Sequence, residues 1–451
     1  MTLLAIALYM ALQFGIGIWV SRRIRTEADY ILAGRNLGYV LTTFSIFATW
    51  FGAETIVGSA GRAYREGISL ASAEPFGYGL CLLLAGVVFA GPLWRRKLTT
   101  LADLYRQRFS VRAERLAAIV LIPGSIYWAA AQIRAFGHVI SASTTVIDAE
   151  IAIGVAAGFT IAYAMFGGML VDAVTDVIQG VVLLVGLAVV FLFVLPHLGD
   201  AALTPARAPV QLLPPTDESI WSLLERWAIP IGGSVLATEL VGRLLAARSE
   251  HVARRSAVMA AALYVGVGSI PLVIGVFGPA LAPSIADEEQ LLPHIARSML
   301  PTIAYAVFAG ALISAILSTV DSTLLTASSL LSHNLLVPAL RIADERRKVL
   351  YARGGVVAFG IVAYALALHA TGVFSLVEQA SSFGSAGVLV SACFGLFTRF
   401  GGATAAIATM ALGAIAYLAA SAMTAETPFL LSLLVALSTY VLVAAVERRT
   451  R

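Results

Sequence analysis

Charged residues are scarce in this chain, and their scarcity decides its class. Asp, Glu, Lys and Arg make up only 12% of the 451 residues, whereas 59% are hydrophobic and the mean hydropathy is +0.89. Soluble globular proteins carry about 25% charged residues. The composition therefore predicts an integral membrane protein that is surrounded by the lipid bilayer.

Cysteine is also scarce, and the few histidines do not occur in groups. The two cysteines, Cys81 and Cys393, lie in apolar stretches, so we expect small core residues rather than a disulfide or a metal pair. The six histidines are scattered without the spacing of metal ligands. No nucleophile–base pair is evident either, so the sequence does not favour an enzyme.

Long polar stretches are missing as well. The longest polar insertions, residues 95–114 and 199–219, are loop-sized, so we interpret residues 1–451 as a single membrane transport domain. No phosphate-binding loop of the form G-x-x-x-x-G-K-[ST] occurs, which argues against an ATP-driven pump. Active transport would then draw its energy from an ion gradient.

Apolar runs of membrane length fill the chain instead. A bilayer-spanning helix needs about 20 apolar residues, and on that measure the sequence divides into about thirteen spans. The predicted spans are residues 2–20, 38–60, 71–93, 115–143, 150–166, 173–196, 221–245, 255–281, 297–332, 350–369, 373–397, 403–421 and 428–446.

Basic residues collect in alternate connections between these spans. Residues 95–97 follow the third span and residues 346–348 follow the ninth, while even-numbered connections hold few basic residues apart from Arg62 and Arg65. The positive-inside rule predicts a multi-pass protein of the cell's inner (plasma) membrane, with its N-terminus outside and its C-terminus in the cytoplasm. The net charge of +4 has this simpler explanation, so no nucleic-acid partner is expected.

Two of the predicted spans are interrupted by helix-breaking residues. Residues 48–55 read A-T-W-F-G-A-E-T, which places Gly52 and the acid Glu54 at mid-membrane depth, and residues 229–234 read I-P-I-G-G-S. Hydrocarbon cannot satisfy loose backbone groups, so a broken helix must lie inside a bundle or beside a cavity. Paired interruptions point to the binding site of a transporter, and simple kinks without a ligand are the alternative.

The two interrupted spans are five spans apart, which predicts two repeats, residues 38–196 and 221–397. An odd number of spans in each repeat turns the second upside down relative to the first. Residues 1–37 would form a leading helix and a cytoplasmic loop, and residues 403–446 two accessory helices. The predicted fold class is an all-α integral membrane protein with two inverted five-helix repeats, each beginning with a discontinuous helix.

The ninth span carries an unusual density of hydroxyl groups around one acid, Asp321. On a helix, Ser318 shares a face with Ser322, and Thr319 with Thr323. Oxygen ligands on one face suit a hard cation such as sodium. The alternative is that these small hydroxyl residues only help helices to pack.

Other ionisable residues lie within or beside the spans. Asp176 is in the sixth span, where a carboxylate costs about 2.5 to 3.5 kcal/mol on insertion scales, so a functional role is the first hypothesis. Asp172 is expected to be an interfacial acid that pairs with a loop arginine. Glu239 and Arg243 stand four residues apart near the second interruption, and both an internal salt bridge and a substrate contact remain open.

Several strings resemble the sodium/solute symporter family. They are D-Y-I-L-A-G-R-N-L-G (residues 29–38), F-G-G-M…T-D-V-I-Q (166–179) and S-T-V-D-S-T (318–323). A-T-W-F-G, P-F-G-Y-G-L-C-L-L-L-A-G and Y-W-A-A-A-Q are similar to its high-affinity choline transporter-like branch. The resemblance implies a LeuT-like fold with broken helices.

The resemblance also implies a sodium site and a coupling acid. The ligands would be the backbone carbonyls of Ala48, Phe51 and Thr319 and the hydroxyls of Ser322 and Thr323. Asp176 matches the family's T-D acid, so it would be a second cation site or a coupling site. Proton coupling through Asp176 or Asp321 is the alternative.

The predicted substrate residues are Trp50, Tyr78 and Trp128, which resemble aromatic positions of the choline branch, together with Glu54 and Gln132. Aromatic faces attract a quaternary ammonium by about 0.5 to 2 kcal/mol per ring, although ordinary packing would also explain these rings. Two departures from the choline branch stand out. The W-Q-containing interruption is S-V-L-A-T-E-L here, and a glycine is replaced by Glu54, which can pair with a cationic substrate, bond a hydroxyl or carry a proton.

The sequence as a whole predicts a secondary active transporter. It would couple sodium to the symport of a small organic solute (a choline-like amine, an amino acid or another small polar metabolite) by alternating access. The alternatives are a proton-coupled symporter of the same fold, a passive channel and a non-transporting membrane sensor. Sodium, the solute and the bilayer are the expected partners, and no obligate protein partner is evident.

Overall fold

A computed structural model describes residues 2–142, 148–202, 219–285, 287–370 and 372–449. Within these ranges the chain is helical, and its only β-type pairing is an isolated bridge between Leu37 and Ala247. Most of the polar insertion predicted at residues 199–219 lies outside the described residues.

Sixteen helical segments, labelled in chain order, form the spans. They are α1 (Thr2–Ser21), α2 (Tyr39–Trp50), α3 (Glu54–Glu66), α4 (Phe76–Arg95), α5 (Val111–Ala142), α6 (Ala149–Phe166), α7 (Met169–Ala202), α8 (Ile220–Ala228), α9 (Thr238–Ala246), α10 (Glu250–Leu281), α11 (Thr302–Leu340), α12 (Glu345–His369), α13 (Val373–Ser382), α14 (Ser385–Phe397), α15 (Ala403–Ala422) and α16 (Pro428–Arg449).

The predicted spans agree with these helices to within a few residues at most ends. Among the described residues, eleven helices are long and apolar enough to cross a membrane, and the bent pair α2–α3 makes a twelfth. The first helix, α1, has a shorter apolar part, Ala7–Ser21, and corresponds to the remaining predicted segment. The largest difference is in the ninth span, which runs on to Leu340 through a π-helical segment, Leu330–Leu336.

The first interruption is found where the sequence predicts it. Helix α2 ends at Trp50, Phe51 leaves the helical region (φ −90°, ψ 69°), and the chain resumes at Glu54 with a π-helical turn. The axes of α2 and α3 differ by 56°. A Cβ at Gly52 would overlap the carboxylate of Glu54, which folds back over it, so glycine here allows Glu54 to keep this position.

The second interruption is also present, although its non-helical part lies slightly further along the chain. After α8 a π-helical turn spans Ile229–Gly233, and the non-helical residues are 234–237, with Ala237 at φ −56° and ψ 137°. A Cβ at Gly233 would overlap the backbone carbonyl of Ser381. This glycine therefore lets the interrupted span approach the α13–α14 connection closely.

The polar interior of the bundle lies where α2, α5, α7 and α11 meet. Helix α11 packs along both α5 and α7, and α2 packs on α7 and α10. Helices α15 and α16 pack on each other and on α14 at the periphery. Large apolar side chains such as Leu192 and Leu442 stay exposed on the outer helices, as expected for surfaces that face lipid.

Candidate functional site

Three of the predicted substrate residues are joined by hydrogen bonds at the first interruption. The indole Nε1 of Trp128 donates to Glu54 Oε1 over 3.1 Å, and Gln132 Nε2 donates to Glu54 Oε2 over 2.8 Å. The backbone N–H of Ala53 donates to Gln132 Oε1 over 3.0 Å. Glu54 is only 1% exposed, so α5 holds this buried carboxylate with neutral donors.

The predicted aromatic residues do not surround an open space. Trp50 and Trp128 pack edge to face, with ring centroids 5.1 Å apart and ring planes at 83°. Tyr78 packs on Tyr264 in the same manner at 6.3 Å. Its hydroxyl lies 3.1 Å from the Ser381 hydroxyl. These rings form contacts with one another instead of presenting faces that oppose each other across a cavity.

A second acid, Glu74, lies next to this cluster and was not predicted. It accepts hydrogen bonds from the hydroxyls of Thr55, at 2.9 Å, and Tyr264, at 2.8 Å. The sequence signal was weak because Glu74 precedes Pro75 in a short connection, where a solvated acid is the ordinary expectation. Only its setting in a stretch without other charged residues, residues 67–75, sets it apart.

The second interruption carries a carboxylate held in the same way. Glu239 Oε1 accepts a hydrogen bond of 2.5 Å from the hydroxyl of Ser125. A cavity of about 40 Å³ lies beside this pair, and Trp128 and Ser234 are among the residues that line it. One face of α5 therefore carries, at helical spacing, Ser125, Trp128 and Gln132. Their side chains donate hydrogen bonds to the acids of both interruptions.

The predicted cation ligands meet on the other side of the first interruption. The Thr319 hydroxyl donates to the backbone carbonyl of Thr49 over 2.9 Å, and the hydroxyls of Thr49 and Ser322 lie 3.0 Å apart. Because α2 stops at Trp50, carbonyls in its last turn, including that of Ala48, lack the partners that a continuing helix would supply. Helix α11 thus brings hydroxyl groups against backbone carbonyl oxygens that have no partner within α2.

Thr323 is placed differently from the other predicted ligands. Its hydroxyl donates to the backbone carbonyls of Thr319, at 3.0 Å, and Val320, at 2.9 Å. These bonds stay within α11, as is common for threonine in membrane helices. The Thr319 carbonyl, which was also predicted as a ligand, is therefore already engaged, whereas the Thr319 hydroxyl reaches α2.

Asp176 connects three helices. Its two carboxylate oxygens accept hydrogen bonds of 2.5 Å from Ser45 on α2 and Ser318 on α11. Asp176 itself lies on α7 and is buried. The residue predicted as a coupling site thus lies within the hydroxyl cluster that also contains Ser322.

The side chain of Arg243, on α9, fills the centre of this polar cluster. It is fully buried and donates to the hydroxyls of Ser45, at 3.1 Å, and Ser322. Its Nη2 atom lies 3.7 Å from Asp172 and 3.9 Å from Asp176.

Glu239 and Arg243 do not form the internal salt bridge that was one of the two alternatives for this pair, and the interfacial position expected for Asp172 is wrong. Glu239 offers Arg243 its backbone carbonyl, at 3.1 Å, because its carboxylate points to Ser125 instead. Asp172 is only 1% exposed, so it is not an interfacial acid. Its ionic partner is Arg243 on a neighbouring helix and not a loop arginine.

Comparison with known proteins gives this geometry its context. Residues 30–413 match the sequence profile of the sodium:solute symporter family. The chain belongs to that family. Its predicted membership is therefore confirmed, as is its nature as a multi-pass membrane transporter.

Relatives cover most of the chain. The high affinity choline transporter 1 of Homo sapiens is 30% identical over 401 residues, which are 83% of this chain and 69% of the relative. The sodium/proline symporter of Haemophilus influenzae is 27% identical over 446 residues, which are 92% of this chain and 87% of the relative. The resemblance to the choline transporter-like branch is thus confirmed.

Solved structures confirm the predicted fold class. A Na+-coupled sialic acid symporter in a substrate-bound outward-open state matches with a TM-score of 0.86 at 18% identity, covering 99% of this chain and 97% of that one. A nucleobase-cation-symport-1 family transporter in a closed conformation matches with a TM-score of 0.63 at 15% identity, covering 93% and 94%. The all-α, LeuT-like architecture with discontinuous helices is therefore the fold of this protein.

Proposed function

We propose that the protein couples sodium to the symport of a small organic solute by alternating access. The observation that carries this proposal is the meeting of two sets of groups at one helix interruption. The hydroxyls of α11 lie against the end of α2, and the Glu54 cluster with α5 lies directly after it. An ion and a solute bound there would be neighbours.

The proposed sodium ligands are oxygens of α2 and α11. They are the carbonyls of Ala48 and Phe51 together with oxygens of Thr319, Ser322 and Thr323, and they suit a hard cation that prefers oxygen. Thr323 would have to turn its hydroxyl away from its own helix to take part. Asp176, bonded to Ser45 and Ser318, is the proposed second cation or coupling site.

The proposed solute contacts are Trp50, Glu54, Tyr78, Trp128 and Gln132. Coupling follows if sodium holds α2 against α11, because the interruption would then be ordered before the solute arrives. When two ligands favour the same arrangement of the interruption, each strengthens the binding of the other, and the two factors are equal. This reciprocity makes the sodium dependence of solute affinity the central observable.

The proposed membrane is the cell's inner (plasma) membrane, with the N-terminus outside and the C-terminus in the cytoplasm. Arginine and lysine at the ends of the spans, as in residues 95–97 at the end of α4 and residues 346–348 at the start of α12, support this orientation. Within the fold, residues 38–196 and 221–397 are proposed as the two inverted repeats, and residues 403–446 as accessory helices.

Uptake into proteoliposomes tests the proposal after a thermal-stability screen has found a solute. A ligand at about 100 times its Kd stabilises a folded protein by about 2.7 kcal/mol, and we expect this stabilisation to require sodium. An inward sodium gradient should then drive solute accumulation.

Other outcomes identify the alternatives. Accumulation driven by a pH gradient without sodium would indicate proton coupling. Flux that only equilibrates the solute would indicate a passive path. The absence of any flux, together with stoichiometric recovery of a signalling protein, would indicate a sensor.

A further inference from the structure

Three carboxylates lie at the two interruptions without a direct ion pair among the described residues. Glu54 and Glu239 are 1% and 2% exposed, and each accepts hydrogen bonds from neutral side chains of α5. Glu74, which is partly buried, is held by two hydroxyls in the same way. Within the described ranges, none of these three carboxylates has an ion pair with Arg, Lys or His.

The buried guanidinium of Arg243 makes no ion pair with Glu54, because its ionic partners are other acids. Arg243 lies between Asp172 and Asp176, and its hydrogen bonds go to Ser45, Ser322 and a backbone carbonyl. Arg62, near the end of α3, lies over the ring of Phe374 at 3.8 Å. Burying a carboxylate without a cationic partner is costly, so Glu54 is suited to a ligand that brings a positive charge.

The aromatic contacts indicate which kind of cation fits. A quaternary ammonium is held by ring faces turned toward it. Trp50 and Trp128 instead pack edge to face on each other, and Tyr78 packs on Tyr264. The second interruption, S-V-L-A-T-E-L (residues 234–240), supplies no aromatic residue. These residues therefore offer little for recognising a quaternary ammonium by ring faces alone.

The carboxylate of Glu54 retains capacity to accept hydrogen bonds. Each of its oxygens has two lone pairs, and one hydrogen bond, from Trp128 or Gln132, occupies one position on each. The carboxylate itself lies close over Gly52, beside the backbone of the interruption. A charge-assisted hydrogen bond from N–H to carboxylate is about twice as strong as a neutral one.

We propose that the solute is an organic cation with at least one N–H donor, a protonated primary, secondary or tertiary amine, and that Glu54 pairs with it. This assignment rests on the proposed symport function and names the solute class for its site. Trp128 and Gln132 position the carboxylate, and the Trp50–Trp128 pair forms an apolar wall. A quaternary ammonium would keep the charge attraction and lose the hydrogen bond.

A methylation series provides the matched probes. Ethanolamine, its N-methyl and N,N-dimethyl derivatives and choline differ only in how many N–H groups methyl groups have replaced. We measure binding to the purified full-length protein in sodium by the shift in thermal stability. We expect a fall in affinity of about tenfold or more at the last methylation, where the final N–H is lost. If choline bound as tightly as N,N-dimethylethanolamine, the N–H requirement would be overturned.

Substitution of Glu54 tests its role directly. Glu54→Gln keeps the size and one acceptor oxygen but removes the charge, and we expect amine affinity to fall about hundredfold. Glu54→Asp keeps the charge and should retain binding more closely. Glu250→Gln, which removes a carboxylate from a surface ion pair with Arg95, is the matched control and should leave amine affinity unchanged.

The outcomes separate the solute assignment from the function. Equal amine binding by the wild type and Glu54→Gln overturns the assignment, provided that sodium still stabilises both proteins. Sodium-dependent binding of neutral solutes or zwitterions, with no binding of any amine, preserves symport and overturns the cation. Amine binding that is indifferent to sodium supports the cation and contradicts sodium coupling.

Discussion

The guanidinium of Arg243 donates a hydrogen bond to the hydroxyl of Ser322, so a fixed positive charge touches a side chain that the sequence assigns to sodium. The same guanidinium bonds Ser45, which in turn donates to Asp176. A sodium ion and Arg243 would therefore share oxygen neighbours and repel each other. A sodium ion at Asp176 would also lie close to this guanidinium, whose other ionic partner is Asp172.

Removing the charge of Arg243 should destabilise the protein strongly. In Arg243→Gln two buried carboxylates, Asp172 and Asp176, lose their cation, and breaking such a group typically costs about 3 to 5 kcal/mol. We expect a clear fall in the unfolding temperature of the purified protein. Arg95→Gln breaks an exposed pair with Glu250, worth at most about 1 kcal/mol, and serves as the control. Equal shifts for the two variants would refute this role.

The two threonines of the ion site should differ in importance. The Thr319 hydroxyl reaches the Thr49 carbonyl at the interruption, whereas the Thr323 hydroxyl bonds only within α11. A hydrogen bond contributes about 1 kcal/mol, so we expect Thr319→Ala to raise the half-saturating sodium concentration by several-fold to about tenfold. Thr323→Ala should change it less than about threefold. The reverse order would mean that sodium binds after α11 has rotated.

Asp176 and Asp172 form a second matched pair, on one helix. Asp176 accepts hydroxyls from α2 and α11, while both oxygens of Asp172 lack hydrogen-bond partners among the described residues. Asp176→Asn should weaken sodium activation of uptake by about tenfold or more, because the charge that attracts the ion is lost. Asp172→Asn should affect it less. Sodium titrations that are indistinguishable for the two variants would exclude Asp176 as the coupling acid.

The glycine at the first interruption should be essential for the position of Glu54. In Gly52→Ala the added Cβ would overlap the carboxylate of Glu54 and push it away from the interruption. We expect the loss of most solute affinity while the protein still folds. Gly58→Ala, on α3, is the control, because its Cβ would meet Phe374 at an ordinary 3.5 Å. Full solute affinity in Gly52→Ala would show that the carboxylate acts from another position.

Membrane orientation can be checked with single cysteines. Asp287 is exposed in the connection after α10, and Arg346 is exposed in the first turn of α12, just after the connection that follows α11. An impermeant thiol reagent should label Asp287→Cys in intact cells and Arg346→Cys only after permeabilisation, because the basic connection is predicted to face the cytoplasm. The wild-type protein, with its buried Cys81 and half-buried Cys393, is the background control. The opposite labelling would invert the proposed topology.

The sequence predicted the spans and both interruptions because those features are local. Apolar runs of membrane length set the helices. Gly52 marks the first interruption, and Pro230 and Gly233 lie in the π-helical turn just before the second. Partnerships across the bundle were harder to foresee. Arg243 stands four residues from Glu239, which suggested a local salt bridge, but its ionic partners lie on α7.

The direction of individual side chains was also beyond the sequence. Thr319 and Thr323 share a helical face, but only the first reaches α2, because α11 passes the interruption at that level. Glu74 was overlooked since its partners, Thr55 and Tyr264, come from segments distant in the chain. Hydrogen bonds of this kind depend on tertiary packing, which has no periodic signal.

The single face of α5 formed by Ser125, Trp128 and Gln132 makes the two interruptions mechanically interdependent. If either broken span swings away from α5, a buried carboxylate, Glu54 or Glu239, loses the donors that α5 supplies. Each buried acceptor left unsatisfied costs about 1 to 3 kcal/mol, and more when it is charged. The empty transporter thus resists opening, and a cargo that brings its own N–H groups to Glu54 replaces the donors that the motion removes.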